Sequence, residues 1–198
     1  WSSDVCSSDL SESESTQAGS VGWTYNVSNA ATQYLAAGQT ATETFTVTLD
    51  DGHGGTVDQT VTVTVTGAND GPTLTSTSTT DISGAVREDL SVTIGGALTD
   101  TGVITFTDID LTDTHTTRVV PAEGNTLGGT LTMGAVSESE STQAGSVGWT
   151  YNVSNAATQY LAAGQTATET FTVTLDDGHG GTVDQTVTVT VTGTNDAP

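Results

Sequence analysis

The chain has 198 residues, of which 24 are Asp or Glu and only two are Lys or Arg, and its formal net charge is -22. A charge of this sign repels nucleic acid and anionic membrane surfaces, so phosphate-binding functions are disfavoured. No apolar run approaches the roughly 18 residues that span a bilayer, and no basic segment followed by an apolar one predicts a signal peptide.

The first ten residues, WSSDVCSSDL at Trp1–Leu10, lack the alternation that is typical of a strand. Within them, DVCSSDL resembles the translation of a common sequencing adapter. We therefore expect Trp1–Leu10 to be a non-native leader. Its cysteine, Cys6, is the only one in the chain and so indicates nothing about a redox compartment.

An exact internal repeat follows the leader. Ser11–Gly67 recurs unchanged at Ser137–Gly193, an offset of 137 − 11 = 126 residues. Identity this complete indicates either a recent tandem duplication or an assembly artefact. The first copy lacks its front half, so we predict a truncated half unit at residues 11–71 and one complete unit at residues 72–198. The complete unit has the size of one domain with one core.

Each copy ends in FTVTLDDGHGGTVDQTVTVTVTG, at Phe45–Gly67 and at Phe171–Gly193. Apolar residues alternate with Thr on both sides of DDGHGG, which contains the Asp-Gly and Gly-Gly pairs of hairpin turns. The pattern predicts two half-buried antiparallel strands. For DDGHGG two interpretations stay open: a turn alone, or a turn that also supplies cation ligands.

The complete unit contains seven segments with strand-like alternation, separated by Gly, Asn and Asp. They are Thr73–Thr80, Gly102–Thr107, Thr114–Val120, Gly129–Val136, Val147–Val153, Ala167–Leu175 and Thr182–Thr192. A short extra strand is expected at Val92–Ile94. Because no segment shows a convincing helical period, the sequence predicts an all-β fold, a two-sheet antiparallel sandwich.

The predicted core consists of the apolar residues that share one face of these strands. They are Ile104, Phe106, Leu131, Met133, Trp149, Tyr151, Val153, Phe171, Val173, Leu175, Val187, Val189 and Val191. Asn155–Thr166 is too short and too polar for a core helix, so it is predicted to form a corner between two strands with Leu161 turned inward.

Acidic residues are predicted to converge at one end of the sandwich. If seven strands run alternately down and up, the linker before the first strand meets the loops after the second and the sixth. These three segments carry the candidate ligands Asn69, Asp70, Asp108, Asp110, Asp113, Asp176 and Asp177. Like charges this close repel one another unless a cation neutralises them. Calcium takes six to eight oxygen ligands in flexible geometry, whereas zinc would require a cluster of His or Cys, which we do not expect here.

Several motifs together resemble the VCBS repeat of large bacterial surface adhesins. They are NDAP, REDL, GVITFTDIDLTDTH, the Trp-x-Tyr strand, YLAAGQT and FTVTLDDGHGGT. The resemblance covers nearly all of Pro72–Pro198 and the back half of a unit at Ser11–Gly71. It implies an immunoglobulin-like or cadherin-like sandwich in an extracellular or cell-surface protein of Gram-negative type, often exported by type I secretion.

Serial VCBS repeats form a stalk for adhesion or biofilm, so the resemblance implies a calcium-stabilised structural spacer. The implied partners are neighbouring repeats of the same chain and a host or matrix surface ligand; neither nucleic acid nor membrane insertion is expected. The Asp-x-Asp motif of cadherins matches Asp108 and Asp110, and their inter-domain Asn-Asp matches Asn69 and Asp70.

The early-strand Glu of cadherins matches Glu88, which the strand alternation places at the opposite end, near Asn195 and Asp196. Cadherins also carry an acidic motif at the corner where this chain has YLAAGQT. That departure reduces the expected occupancy to one or two calcium ions at each joint between repeats.

Two other functions are less well supported. A carbohydrate- or matrix-binding module would present exposed aromatic rows, but Trp149 and Tyr151 alternate on a strand in the manner of core residues. An enzyme is not expected, because His179 beside Asp177 is tied to no nucleophile by any motif.

The half unit supplies only the last three strands of a sandwich. Its Trp23, Tyr25, Phe45 and Val47 therefore lack an opposing sheet of the kind expected in the complete unit. We expect this segment to be poorly closed or of low order unless upstream sequence is restored; a compact segment would have to borrow a surface from a partner and would contradict this expectation.

Overall fold

The computed structural model describes residues 3–12, 15 and 18–196. The chain divides into two compact units, Trp1–Ala68 and Asn69–Pro198, which are called unit 1 and unit 2 below. The described residues form strands, turns and two short 3-10 turns. None of the described residues belongs to a helix that is both long and apolar enough to cross a bilayer.

In the part of unit 1 that the structure describes, the strands form two two-stranded antiparallel sheets. The first pairs β1 (Ser3–Glu12) with β2 (Gly19–Val27), and the second pairs β3 (Thr40–Asp50) with β4 (Thr56–Thr66). Most of the predicted leader lies in β1, although its sequence lacks the alternation that is typical of a strand. Main-chain pairing to β2 does not require an alternating side-chain pattern, so periodicity alone could not reveal this strand.

Unit 2 contains eight strands in two four-stranded sheets. Their bounds are β5 (Thr73–Thr75), β6 (Ser83–Arg87), β7 (Ala97–Thr107), β8 (Thr116–Pro121), β9 (Thr130–Ser139), β10 (Thr142–Ser154), β11 (Thr166–Asp176) and β12 (Thr182–Thr192). The orders are β5-β7-β10-β9 in one sheet and β6-β12-β11-β8 in the other. The predicted all-β sandwich is confirmed.

The first predicted strand, Thr73–Thr80, is wrong in extent. The observed strand, β5, ends at Thr75, and the chain then turns, with the Thr80 N–H donating to Thr77 O. Strand β6 follows and joins the other sheet, where it runs parallel to β12. The polar segment STSTTD has no apolar side chain that could pack in the core as a continuation of the first sheet beyond Leu74. The chain therefore crosses to the second sheet. One parallel pair thus interrupts the antiparallel pattern.

The short strand expected at Val92–Ile94 is also wrong. This segment is a loop in which Ile94 is fully exposed. It follows two residues with positive φ, Asp89 and Ser91, whose backbone conformation does not continue a strand.

The core lies between the two sheets of unit 2 and is close to the predicted one. Every residue predicted for the core is buried except Met133, which is partly buried. Leu161 is buried at the predicted corner, where Asn155–Ala157 forms a 3-10 turn. The sequence did not identify Glu169, which is fully buried and accepts hydrogen bonds from the Tyr151 hydroxyl (2.7 Å) and the Leu127 N–H (2.9 Å).

The two copies of the repeated sequence differ sharply in burial. Trp149 is 1% exposed and donates its indole N–H to Asp81 O at 2.7 Å, whereas its counterpart Trp23 is 47% exposed. Phe171 is buried, whereas its counterpart Phe45 is only half-buried and contacts the Tyr25 ring at a centroid distance of 6.0 Å. Because the local sequences are identical, the difference comes from the strands that neighbour each copy, which are not the same in the two units.

This comparison predicts unequal costs for the same substitution. Trp149→Ala should lower the free energy of unfolding of unit 2 by about 3–5 kcal/mol, because it opens a cavity in a packed core. Trp23→Ala, in the same local sequence, should cost much less, because its side chain is already half in solvent. Denaturant unfolding of the full chain, followed by circular dichroism, measures both; equal losses would contradict the assigned burial.

Candidate metal site

An acidic site lies at one end of unit 2, where four segments meet. These are the residues before β5, the loop between β7 and β8, the end of β9, and the turn between β11 and β12. Because β7, β9 and β11 finish at this end while β5, β8 and β12 begin there, alternating strand direction brings these distant residues together.

Asn69 and Asp70 contribute to the site from the start of unit 2. Asn69 Nδ2 donates to Asp177 Oδ2 at 2.9 Å, and the Asp70 backbone N–H donates to Asp110 Oδ2 at 2.8 Å. The Asp70 contact uses its main chain. The first residues of unit 2 are therefore held directly by two carboxylates that come from later loops.

The loop after β7 turns its carboxylates inward. Asp110 N–H donates to Asp108 Oδ1 at 2.9 Å, and Asp113 N–H donates to the Asp110 carbonyl at 3.0 Å, so the loop is closed by its own polar groups. Asp108, Asp110 and Asp113 are all buried. A cavity of about 220 Å³ borders this loop.

The turn after β11 presents Asp177 to the same site. Asp177 Oδ1 accepts hydrogen bonds from the N–H groups of His179 (2.7 Å) and Gly181 (2.9 Å), and the carboxylate is buried. Asp176, in contrast, is only half-buried, and its Oδ1 accepts the Gly178 N–H at 2.7 Å. Asp176 therefore hydrogen-bonds only within the turn at this contact, whereas Asp177 faces the site.

The hairpin of unit 1 has the same sequence as the hairpin of unit 2. It therefore shows which properties of Asp177 come from the turn alone and which require the rest of the site. The contacts of Asp51 match those of Asp177, because its Oδ1 accepts the N–H groups of His53 (2.7 Å) and Gly55 (2.9 Å). Yet Asp51 is exposed, and Asp177 is not. The turn geometry thus follows from the local sequence, whereas burial of the carboxylate requires the other loops of unit 2.

Carboxylate oxygens of Asp108, Asp113 and Asp177 lie within 4.8 Å of one another. Several oxygens here are buried without a hydrogen-bond partner: both of Asp113, Oδ1 of Asp110 and the amide oxygen of Asn69. Asp113 Oδ2 does lie 3.2 Å from His179 Nδ1, which is within ion-pair distance but lacks hydrogen-bond alignment. Burying acceptors without donors is costly unless a cation satisfies them.

The pKa values of the cluster reflect this crowding. Burial raises the pKa of Asp110 above its ordinary value, and the charges of Asp113 and Asp108 add to the effect. Burial likewise raises the pKa of Asp113, with His179 opposing the shift. For Asp177 burial acts in the same direction but is outweighed by its hydrogen bonds from Asn69, His179 and Gly181, so its pKa is lowered.

Two histidines and a glutamate at the site were not among the ligands predicted from the sequence. His115 is buried beside the Phe106 ring, with Nε2 at 3.1 Å from Asp108 Oδ2 and Nδ1 at 2.7 Å from Glu138 Oε2. His179 faces Asp113. Strands distant in sequence bring His115 and His179 to the same acidic end, where each lies beside a different aspartate.

Three predicted ligands lie at the opposite end of unit 2 and are not part of this cluster. Glu88 is fully buried and accepts hydrogen bonds from Gln159 Nε2 (2.9 Å) and Thr194 N–H (2.8 Å). Asn195 and Asp196 are exposed. Glu88 therefore already has protein donors for both of its oxygens.

No protein-family model and no curated protein matches the chain. Among solved structures it is similar to CfaE, the adhesive subunit of the CFA/I fimbria of enterotoxigenic Escherichia coli, with 12% identity and a TM-score of 0.51. That alignment covers 91% of this chain and 66% of the CfaE chain. The Enterococcus faecalis adhesin ACE aligns at 10% identity and a TM-score of 0.26, covering 77% and 60%, and is too remote to carry an argument. The likeness to CfaE concerns the fold: a β-sandwich of the kind found in bacterial adhesins.

The raised pKa of Asp113 predicts a pH effect in the presence of a chelator. Between the ordinary Asp value and the raised one, the folded state binds more protons than the unfolded state, so the free energy of unfolding falls as pH rises through that window. Asp113→Asn removes the cost, and the variant should melt at a higher temperature than the wild type at neutral pH. The gain should vanish well below about pH 4, where this carboxyl is protonated in both states. Thermal melts across pH measure this; a variant that melts lower than the wild type at neutral pH would exclude charge crowding at Asp113.

Proposed function

We propose that unit 2 is a calcium-stabilised structural spacer of a secreted or cell-surface bacterial adhesin. The observation that carries the proposal is the set of buried carboxylate and amide oxygens that have no donor, above all both oxygens of Asp113. A cation that accepts oxygen ligands would satisfy them and offset the mutual repulsion of the carboxylates.

The donors fit calcium in chemistry and in spacing. Asp108, Asp113 and Asp177 would hold the ion, since oxygens that share one Ca2+ at bond lengths of about 2.3–2.6 Å lie within about 5 Å of one another. Asp110 Oδ1 and Asn69 Oδ1 are further candidates. His115 and His179 add nitrogen atoms near the site, so the metal experiment includes zinc as a competitor.

The position of the cluster supports the proposed role as a spacer. Asn69 and Asp70 are the first residues of unit 2 and hydrogen-bond to Asp177 and Asp110. An ion that neutralises these carboxylates would therefore fix the point at which the chain enters the unit. Extracellular calcium modules have affinities of about 0.1–1 mM, so the unit would be ordered more firmly outside the cell than inside it.

The adhesin context is supported by the sandwich fold that the chain shares with CfaE. Carbohydrate binding through Trp149 and Tyr151 is not supported, because both side chains are buried in the core. The proposal is non-enzymatic and places the chain outside the cell, where calcium is abundant. Its partners would be neighbouring repeats and a surface ligand.

Calcium should raise the melting temperature of the full chain. At a free concentration 100-fold above the dissociation constant the stabilisation is about 2.7 kcal/mol, which corresponds to several degrees for a domain of this size. The double variant Asp108→Asn with Asp110→Asn should lose the response, because it removes ligand charge. Melts with calcium, zinc and chelator measure the shift.

The matched control is Asp51→Asn, which changes the same turn in unit 1, where Asp51 is exposed. This variant should retain the full calcium response of the wild type. A response that survives in the double variant, or one that is lost with Asp51→Asn, would contradict the site; stabilisation by zinc alone would contradict calcium as the ion.

A further inference from the structure

Unit 1 has open sheet edges that unit 2 does not have at the same positions. Within the described residues, β2 pairs only with β1, and β3 and β4 pair only with each other. In unit 2 the corresponding strands have further neighbours: β10 pairs with β7, β11 with β8, and β12 with β6. Unpaired edges of this kind are templates for the addition of another strand.

The interior face of unit 1 is apolar and open. A cavity of about 590 Å³ is lined in part by Leu10, Val21, Leu49 and Val57, and Leu49 and Val57 are themselves exposed. In unit 2 the counterpart of Leu49, Leu175, is 2% exposed. An open face with exposed apolar side chains offers a surface on which another chain can pack.

In unit 2 the strand that corresponds to β2 is paired with β7. The repeat offset of 126 maps β2 onto β10, which pairs antiparallel with β7 in the register Trp149 to Gly102 and Gly145 to Phe106. A Cβ on Gly102 would collide with the Trp149 ring, and a Cβ on Gly145 would collide with the Phe106 ring. The two strands therefore pack closely, because each contributes one glycine that leaves room for an aromatic ring of the other strand.

Unit 1 retains its half of this fit. Trp23 stands at the position of Trp149, and Gly19 stands at the position of Gly145. The nearest atoms to a Cβ on Gly19 belong to Ser11 and Glu12 of the paired strand β1, so no aromatic ring occupies the Phe106 position. Unit 1 thus keeps the partners of two contacts that β7 makes in unit 2, an aromatic ring for Gly102 and a glycine for Phe106.

We propose that unit 1 is a strand acceptor that binds, from a separate chain, an extended segment with the sequence of β7, ALTDTGVITFT. The segment would pair antiparallel with the open edge of β2, with its Gly102 against Trp23 and its Phe106 over Gly19. Its Leu98, Ile104 and Phe106, which are buried in unit 2, would cover the apolar face of β3 and β4.

The test uses the full chain labelled with 5-fluorotryptophan and a synthetic peptide of residues 97–107. Fluorine NMR resolves the tryptophans, and Trp23→Phe and Trp149→Phe variants assign the signals. The peptide should shift the Trp23 signal saturably and leave the Trp149 signal unchanged, because the site around Trp149 is already filled.

Two altered peptides provide matched controls. A Gly102→Val peptide should not bind, because its side chain would meet the Trp23 ring, and a Phe106→Ala peptide should bind at least about tenfold more weakly, because it loses the aromatic anchor. A Trp23 signal that ignores the parent peptide, or that responds equally to the parent and Gly102→Val peptides, would overturn the proposal. Burial of Trp23 through concentration-dependent self-association of the chain alone would also overturn it, since a second copy would then be the occupant.

Discussion

The fold of unit 2 places four carboxylates in a small buried volume, and this electrostatic constraint governs the rest of the site. Backbone N–H groups and an Asn amide donate hydrogen bonds to these carboxylates and two histidines lie beside them, but both oxygens of Asp113 have no aligned donor. Protonation relieves the repulsion at low pH, and an oxygen-seeking cation would relieve it at neutral pH. A cluster of this kind makes the stability of the unit depend on pH, and a bound cation would make it depend on the concentration of that cation.

The exact duplication shows how much of a structure local sequence determines. The hairpin, its turn hydrogen bonds and the corner before it form alike in both units: Gly67 N–H donates to Gln39 O and Gly193 N–H donates to Gln165 O, each at 2.8 Å. Burial does not follow from local sequence, because Trp149 and Trp23 differ only in the strands that surround them. The carboxylates obey the same rule, since Asp177 is buried by loops that Asp51 lacks.

The sequence was sufficient for the elements that alternate regularly. Thr182–Thr192 was predicted to the residue, and alternating strand direction indicated which loops share an end with the linker. Prediction failed where polar residues decide the structure. Ser76–Asp81 carries no apolar pattern, so the crossing between sheets was missed, and buried Glu169 owes its position to a Tyr151 hydroxyl that only the folded core supplies. His115 and Glu138 meet across 23 residues, a pairing that no local spacing reveals.

The most direct test of the central claim is the anomalous scattering of calcium in crystals of the full chain grown with the ion. The account predicts a peak about 2.3–2.6 Å from carboxylate oxygens of Asp108, Asp113 and Asp177. A peak only near Glu88 and Asp196, or none at the three aspartates when the ion is present at concentrations well above about 1 mM, would contradict it.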